Sequence, residues 1–241
     1  MILDNFDYKG DKNLNEMIKN SQDNEIIVNN CLGTRYIACG LSDKRIIING
    51  TAGNALGAYL NGAEVIVNGN AQDAVGDTMN EGKILINGSS GDATGYGMRG
   101  GEIYVRDDVG YRAGIHMKAY ESKLPILVVG GAAGSFLGEY QAGGLIIILN
   151  RYNRDKSPVG YFCGTGMHGG KIFLRCDKIP SNLPPQVMAN RATKKDMDLI
   201  VSYVKKYADN YKCDYDELIN KKFYVLTANT KNPYKKLYTH N

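Results

Sequence analysis

Three stretches decide how this chain reads: Ile46-Ile47-Ile48-Asn49-Gly50, Val65-Ile66-Val67-Asn68-Gly69 and Ile84-Leu85-Ile86-Asn87-Gly88. They align without a gap at a constant offset of 19. The same offset links Gly57, Gly76, Gly95 and Gly114. It carries on into Ile103-Tyr104-Val105, where Arg106-Asp107 stands in place of Asn-Gly. Each unit reads as a short β-branched strand, a turn, a small-residue stretch with a central glycine, and a corner such as Asn61-Gly62, Glu81-Gly82 or Gly100-Gly101.

Working outward, an insertion at 118–124 breaks the period. The pattern resumes at Ile126-Leu127-Val128-Val129-Gly130, with Gly138 and Gly143-Gly144 in the matching places. Residues 145–149 open another unit, broken by polar 150–157, and the last runs through Gly160, Gly164 and Gly169-Gly170 into Ile172-Phe173-Leu174. Upstream, Ile26-Ile27-Val28-Asn29-Asn30 reads as a degenerate first unit, with Arg35-Tyr36-Ile37 replacing the glycine motif. That makes about seven units.

A 19-residue unit is too short for a βαβ crossover and shows no 3.6 period. It fits one coil of a parallel β-solenoid, whose apolar strip only the next coil can cover. Equivalent positions then lie about 4.8 Å apart. Glycine is expected at the stacked corners, where a tight turn needs φ > 0 or leaves no room for Cβ. Asn49, Asn68 and Asn87 are expected to form a ladder of side-chain amides.

The length suits one large domain, or one domain plus a small appendage: 241 residues, 43% hydrophobic and 22% charged, are ample for a buried core and too apolar for disorder. Every glycine except Gly10 lies between Gly33 and Gly170, giving a lead-in at 1–24, a body at 25–176 and a tail at 177–241. The tail holds 12 Lys and Arg against 7 Asp and Glu, so the net +4 belongs to it and the body is neutral. That argues against a nucleic-acid groove, which needs a concentrated basic stripe. No apolar run approaches the length of a membrane span, roughly 18 residues or more. Residues 1–6 are followed by Asp7, Lys9 and Asp11, so no signal peptide is expected. Five Cys without a C-x-x-C spacing suit a reduced, cytoplasmic protein with scattered structural thiols.

The terminal zones are expected to cap open strand edges. Residues 14–20 form a short amphipathic helix in this reading. Thr193 caps a second helix, with Asp196 three residues in and Met197, Ile200, Val201, Val204, Tyr207 and Ala208 on one face. Asp214 with Glu217 opens a third, 223–226 is a strand, and the aromatic segment 232–238 docks.

Two stretches, Gly95–Gly100 and Gly164–Gly169, satisfy G-x-G-x-x-G literally. A dinucleotide fingerprint needs a helix after the motif, and here strands follow, so both belong to the repeat. The three His, at 116, 168 and 240, do not pair with Cys at zinc-finger spacing. Arg112 and His116 lie beside the insertion, and Glu139 falls in the next coil; they are the candidate ligand or partner contacts. No catalytic, cofactor-binding or metal-binding residue is expected on this chain.

The stretch from Gly50-Thr51-Ala52-Gly53 to Leu56-Gly57-Ala58, then Asp73-Ala74-Val75-Gly76 and Ala93-Thr94-Gly95, resembles the GXGXG domain that closes the large (alpha) subunit of glutamate synthase. Gly110-Tyr111-Arg112-Ala113-Gly114 and Gly164-Thr165-Gly166-Met167-His168-Gly169-Gly170 are similar to further coils of that family, and the tail is similar to that of its free-standing archaeal-type versions. The C-type subunit of formylmethanofuran dehydrogenase shares the repeat. The resemblance implies an all-β, single-stranded right-handed parallel β-helix of about seven coils with an α-helical C-terminal cap. It also implies a scaffold role in glutamine-dependent glutamate synthesis. FMN and Fe–S cofactors would then reside on partner chains, an amidotransferase and an FMN/Fe–S synthase chain. Neither nucleic acid nor a membrane is expected as a partner, and a homo-oligomer is left open. The alternatives are a scaffold like the C-type subunit of formylmethanofuran dehydrogenase, or an independent small-molecule-binding protein with its site near Arg112 and His116.

Overall fold

Strand pairing follows the period. Arg45 lies opposite Glu64, Glu64 opposite Lys83, and Lys83 opposite Glu102, each one repeat on, in parallel register. The computed structural model describes residues 1–4, 10–152 and 157–229. Strand β1 (Ile2–Asp4), helix α1 (Gly10–Asn20) and strand β2 (Glu25–Leu32) lead into β3 (Arg45–Thr51), β4 (Asn61–Asn68), β5 (Glu81–Ile86) and β6 (Glu102–Val105). Then come β7 (Ile126–Val129), β8 (Ala142–Ile148) and β9 (Gly169–Arg175). The tail supplies β10 (Val187–Arg191), α2 (Lys194–Asp198), α3 (Val201–Tyr211), α4 (Tyr215–Ile219) and β11 (Phe223–Ala228).

Among the described residues these strands form a single open sheet of eleven, ordered β1-β2-β3-β4-β5-β6-β7-β8-β9-β11-β10. The expectation of an all-β, right-handed parallel β-helix of seven coils is therefore corrected. Only one stretch per unit is continuous strand. The return path is turn, touched by the single bridges Ala52–Ala71, Ala71–Ser90, Ser90–Val109, Val109–Ala133 and Ala133–Val159 rather than by further sheets. The sheet is mixed, because β11 pairs antiparallel with both β9 and β10. The expected tail helices are present as α2, α3 and α4 and the expected strand at 223–226 within β11, but the edge of β9 is covered by β11 and β10 while α3 packs on the sheet's face.

Burial explains why the strands read as unbroken apolar triplets. One face turns in Ile46 and Ile48, Val65 and Val67, and Ile84 and Ile86, all 0% exposed. Each such side chain contributes roughly 1.5–3 kcal/mol. The other face is only half-buried at Ile27, Ile47 and Ile66. From β6 onward it is covered: Tyr104, Val128, Ile147 and Phe173 pack with Ile200, Val204, Tyr207 and Ala208 of the tail. Strands buried on both faces have no reason to alternate. Val201 departs from the single expected helical face and is exposed, because the helix breaks at Leu199–Ile200 and α3 starts on a new phase. The expected docking of 232–238 lies outside the described residues.

Along the sheet, Glu25, Arg45, Glu64 and Lys83 alternate in sign. Arg45 pairs with Glu25 at 2.8 Å and Glu64 at 3.0 Å, and Lys83 with Glu64 at 3.5 Å. Lys206 of α3 extends the row by pairing with Glu102 at 2.6 Å. Exposed pairs add little energy singly, but like charges directly opposite would oppose the register.

Candidate functional site

The glycine-centred turns are built on alternating left-handed residues. In one unit Arg112, Gly114 and His116 have φ of 55°, 66° and 55°; in the next, Phe136, Gly138 and Tyr140 have 64°, 63° and 53°. The two turns are laced together in both directions. The Arg112 N–H donates forward to the Ser135 carbonyl at 2.9 Å and the His116 N–H to Glu139 at 2.9 Å, while the Gly138 N–H donates back to Ala113 at 2.8 Å. Left-handed backbone costs an L-residue about 1–2 kcal/mol, and these bonds between units hold it.

Gly57, Gly76, Gly95 and Gly114 occupy the middle of successive turns, with φ between 62° and 73°. A Cβ on Gly76 would overlap the Ile103 side chain. The flanking left-handed positions, however, carry Ala55, Ala74, Ala93, Arg112, Phe136 and Phe162. Sequence reasoning missed these, because it tied positive φ to glycine. The Asn side chains form a chain of amides: Asn87 donates to Asn68 at 2.8 Å, Asn68 to Asn49 at 2.7 Å and Asn49 to Asn29 at 2.7 Å.

Side chains on the turns stack at the strand spacing. Arg112 lies 4.7 Å over the Phe136 ring, and Phe136 stacks on Phe162 at 5.0 Å. His116 stacks on Tyr140 at 5.2 Å, with Tyr96 edge-on at 5.9 Å. Arg112 Nε donates to Glu139 Oε2 at 3.2 Å, so Arg112, His116 and Glu139 do share one surface. Glu139 is 9% exposed, whereas Arg112 and His116 face solvent. The His116 ring makes no hydrogen bond among the described residues, and no carboxylate orients it for proton transfer. The result is a ridge of stacked aromatic faces and a guanidinium plane along the turns.

Insertion 118–124 adds a small hairpin with a Tyr120–Lys123 bridge, tied back by Lys123 to Glu81 at 3.0 Å. Both G-x-G-x-x-G stretches are turns that run into strands, β6 and β9.

A second polar cluster, not singled out in the sequence, surrounds Arg106 and Asp107, and its partners come from afar. Arg106 Nη2 donates to Asp107 at 2.8 Å, and Tyr152 also donates to Asp107. The Arg106 hydrogen bonds hold the Asp107 carboxyl below its ordinary range. From α3, Tyr207 donates to the Arg106 carbonyl at 2.8 Å and Tyr211 to that of Tyr104 at 2.9 Å. Burial raises both phenols above their ordinary range. These contacts fasten the tail to the sheet. Among the described residues, no group of three His, Cys, Asp or Glu side chains is placed to hold a metal, and no helix is long and apolar enough to cross a membrane.

The model of the GXGXG motif family matches residues 4–232. The chain is 41% identical over 235 residues to the uncharacterized protein MJ1350 of Methanocaldococcus jannaschii, covering 94% of this chain and 90% of that protein. Seen with the regular strand register and the left-handed glycine turns, these matches show that the chain belongs to the GXGXG motif family.

Proposed function

We propose that the chain is a non-catalytic scaffold subunit of a glutamate synthase-like complex. The observation that carries this reading is the family match over residues 4–232, since the GXGXG family is found in glutamate synthase. Ammonia release from glutamine and FMN-dependent reductive amination of 2-oxoglutarate then belong to an amidotransferase chain and an FMN/Fe–S chain. The stacked units favour such a role: a register renewed in every unit holds surface groups at constant spacing, which positions partners without chemistry of its own. We assign the ridge of Arg112, His116, Phe136, Tyr140 and Phe162 to partner contact, because rigid aromatic and arginine side chains lose little entropy on docking.

The test is co-purification from the native host. Flavin-containing and glutaminase-type chains should accompany the protein, while the chain alone should show no glutamate synthesis and no flavin or iron absorbance. His116→Ala, at an exposed ring, should reduce recovery of the partners without altering the circular dichroism spectrum. A flavin bound by the isolated chain overturns the reading, and molybdopterin-containing partners replace it with a formylmethanofuran dehydrogenase-type scaffold.

A further inference from the structure

Arg175 is the last residue of β9 and is only 8% exposed. Its Nη1 donates to the carbonyls of Leu149 at 2.9 Å and Asn150 at 3.3 Å, and its Nη2 to that of Glu217 at 3.1 Å. Its Nε is buried without a partner. Carbonyl dipoles orient a guanidinium but do not neutralise it, and a buried, unpaired charge is costly. Burial accordingly pulls the Arg175 guanidinium below its ordinary range.

The same residue lines a cavity of about 140 Å³ with Asn150, Arg151, Lys221 and Lys222. Asp177 and Glu217 also border it, so four cationic side chains face two carboxylates. Among the described residues, none of the four cations forms an ion pair within 4.0 Å. Arg151 instead donates to the Tyr207 hydroxyl at 3.1 Å, which holds its guanidinium at the cavity wall. Positive charge has thus been gathered from the end of β8, the end of β9 and the approach to β11, and the two carboxylates that border the cavity offset only half of it. The volume is well below the roughly 300–1,000 Å³ of a site for a drug-sized ligand, which limits the occupant to a small ion or one end of a metabolite.

We propose that this cavity binds a small oxyanion, with Arg175 as the buried charge and Arg151, Lys221 and Lys222 as the entrance. The shared chemistry is that of inorganic phosphate and of a terminal phosphate group on a larger molecule. An oxyanion here would bridge the turn after β8, the end of β9 and the segment between α4 and β11, and so fasten the tail. The site is independent of the scaffold reading, because it lies on the tail side and uses none of the ridge residues.

The experiment uses the full chain freed of phosphate and sulfate. Inorganic phosphate is titrated against potassium chloride at matched ionic strength, with melting temperature and calorimetry as readouts. Phosphate should raise the melting temperature in a saturable way, and chloride should not. Glycerol phosphate forms a second arm: equal affinity identifies a terminal phosphate as the ligand group, and its failure identifies the free ion. Lys221→Gln with Lys222→Gln, both at exposed positions, should weaken phosphate at least tenfold at a ligand-free melting temperature no lower than the parent's. Arg175→Gln should abolish binding if it folds; the lysine pair keeps the test decisive if it does not. An equal effect of chloride, or a double variant that titrates like the parent, overturns the proposal.

Discussion

The hydroxyl of Tyr207 occupies the space that a side chain on Gly130 would need. A Cβ at 130 would overlap that oxygen and the Arg106 carbonyl that accepts its hydrogen bond. The glycine after β7 therefore serves the docking of α3 as well as the repeat.

Gly130→Ala should displace Tyr207 and destabilise the chain by about 2–4 kcal/mol, combining overpacking with a lost buried hydrogen bond. Denaturant unfolding of Gly130→Ala, Tyr207→Phe and the double variant measures this. The double variant should cost less than the two single changes added together. Strict additivity would mean that the two residues do not share the space.

Left-handed turn positions should sort substitutions by direction. At Ala93, with φ of 56°, Ala93→Gly should be neutral or stabilising by up to about 1 kcal/mol, since relief of left-handed strain offsets the flexibility of glycine. At Gly76, where the backbone is equally left-handed and Ile103 fills the space, Gly76→Ala should cost about 2–4 kcal/mol. Equilibrium unfolding midpoints decide the pair, and a destabilised Ala93→Gly would remove strain from the account.

Acid stability should depend on Asp196. Hydrogen bonds from Lys171, at 2.6 Å, and from Thr193 hold its carboxyl at about 2, against an ordinary value of 3.8. A depressed folded value stabilises above the ordinary range, and that contribution is lost as pH falls through the folded value. The gap in melting temperature between the parent and Asp196→Asn should therefore be widest near neutrality and close between about pH 4 and 2. A gap independent of pH would show that the ion pair is not what Asp196 contributes.

Thiol chemistry should follow burial. Cys163 is 1% exposed and burial pushes its thiol up to about 12, whereas Cys39 faces solvent. At pH 8 a thiol reagent should modify Cys39 in the native chain and reach Cys163 only in denaturant. Fast native labelling of Cys163, located by peptide mapping, would contradict the packing of the last turn.

The repeat was legible because β-branched triplets recur at one offset, and the registers from β3 to β6 keep it. Where the offset changes, to 24 between Glu102 and Ile126 and to 26 between Leu145 and Lys171, glycine landmarks still marked the units. Of the closing strands, 223–226 was expected and stands within β11, whereas β10 and the pairing of both were not legible. Val187–Arg191 carries neither alternation nor a β-branched run, and nothing in Phe223–Ala228 names β9 as its partner. Arg112 and Glu139 were picked out as irregularities. Their contact rests on a backbone register in which Arg112 meets Ser135 and Phe136, placing Glu139 within reach. The cationic cavity around Arg175 was invisible, because Lys221 and Lys222 reach it only through the fold of the tail.

The placement of β11 between β9 and β10 has a consequence for how the chain is made. Strands β2 to β9 each find their neighbour in the unit just synthesised. The far edge of β9, however, waits for Phe223, nearly fifty residues later, before Phe223 can sit opposite Arg175. During that interval Gly169–Arg175 presents an unpaired, largely apolar edge, the template on which another nascent copy could add. Premature termination anywhere between 176 and 222 leaves that edge open for good. Ribosomal stalling in the tail should therefore yield insoluble product even though every strand from β1 to β9 has been made.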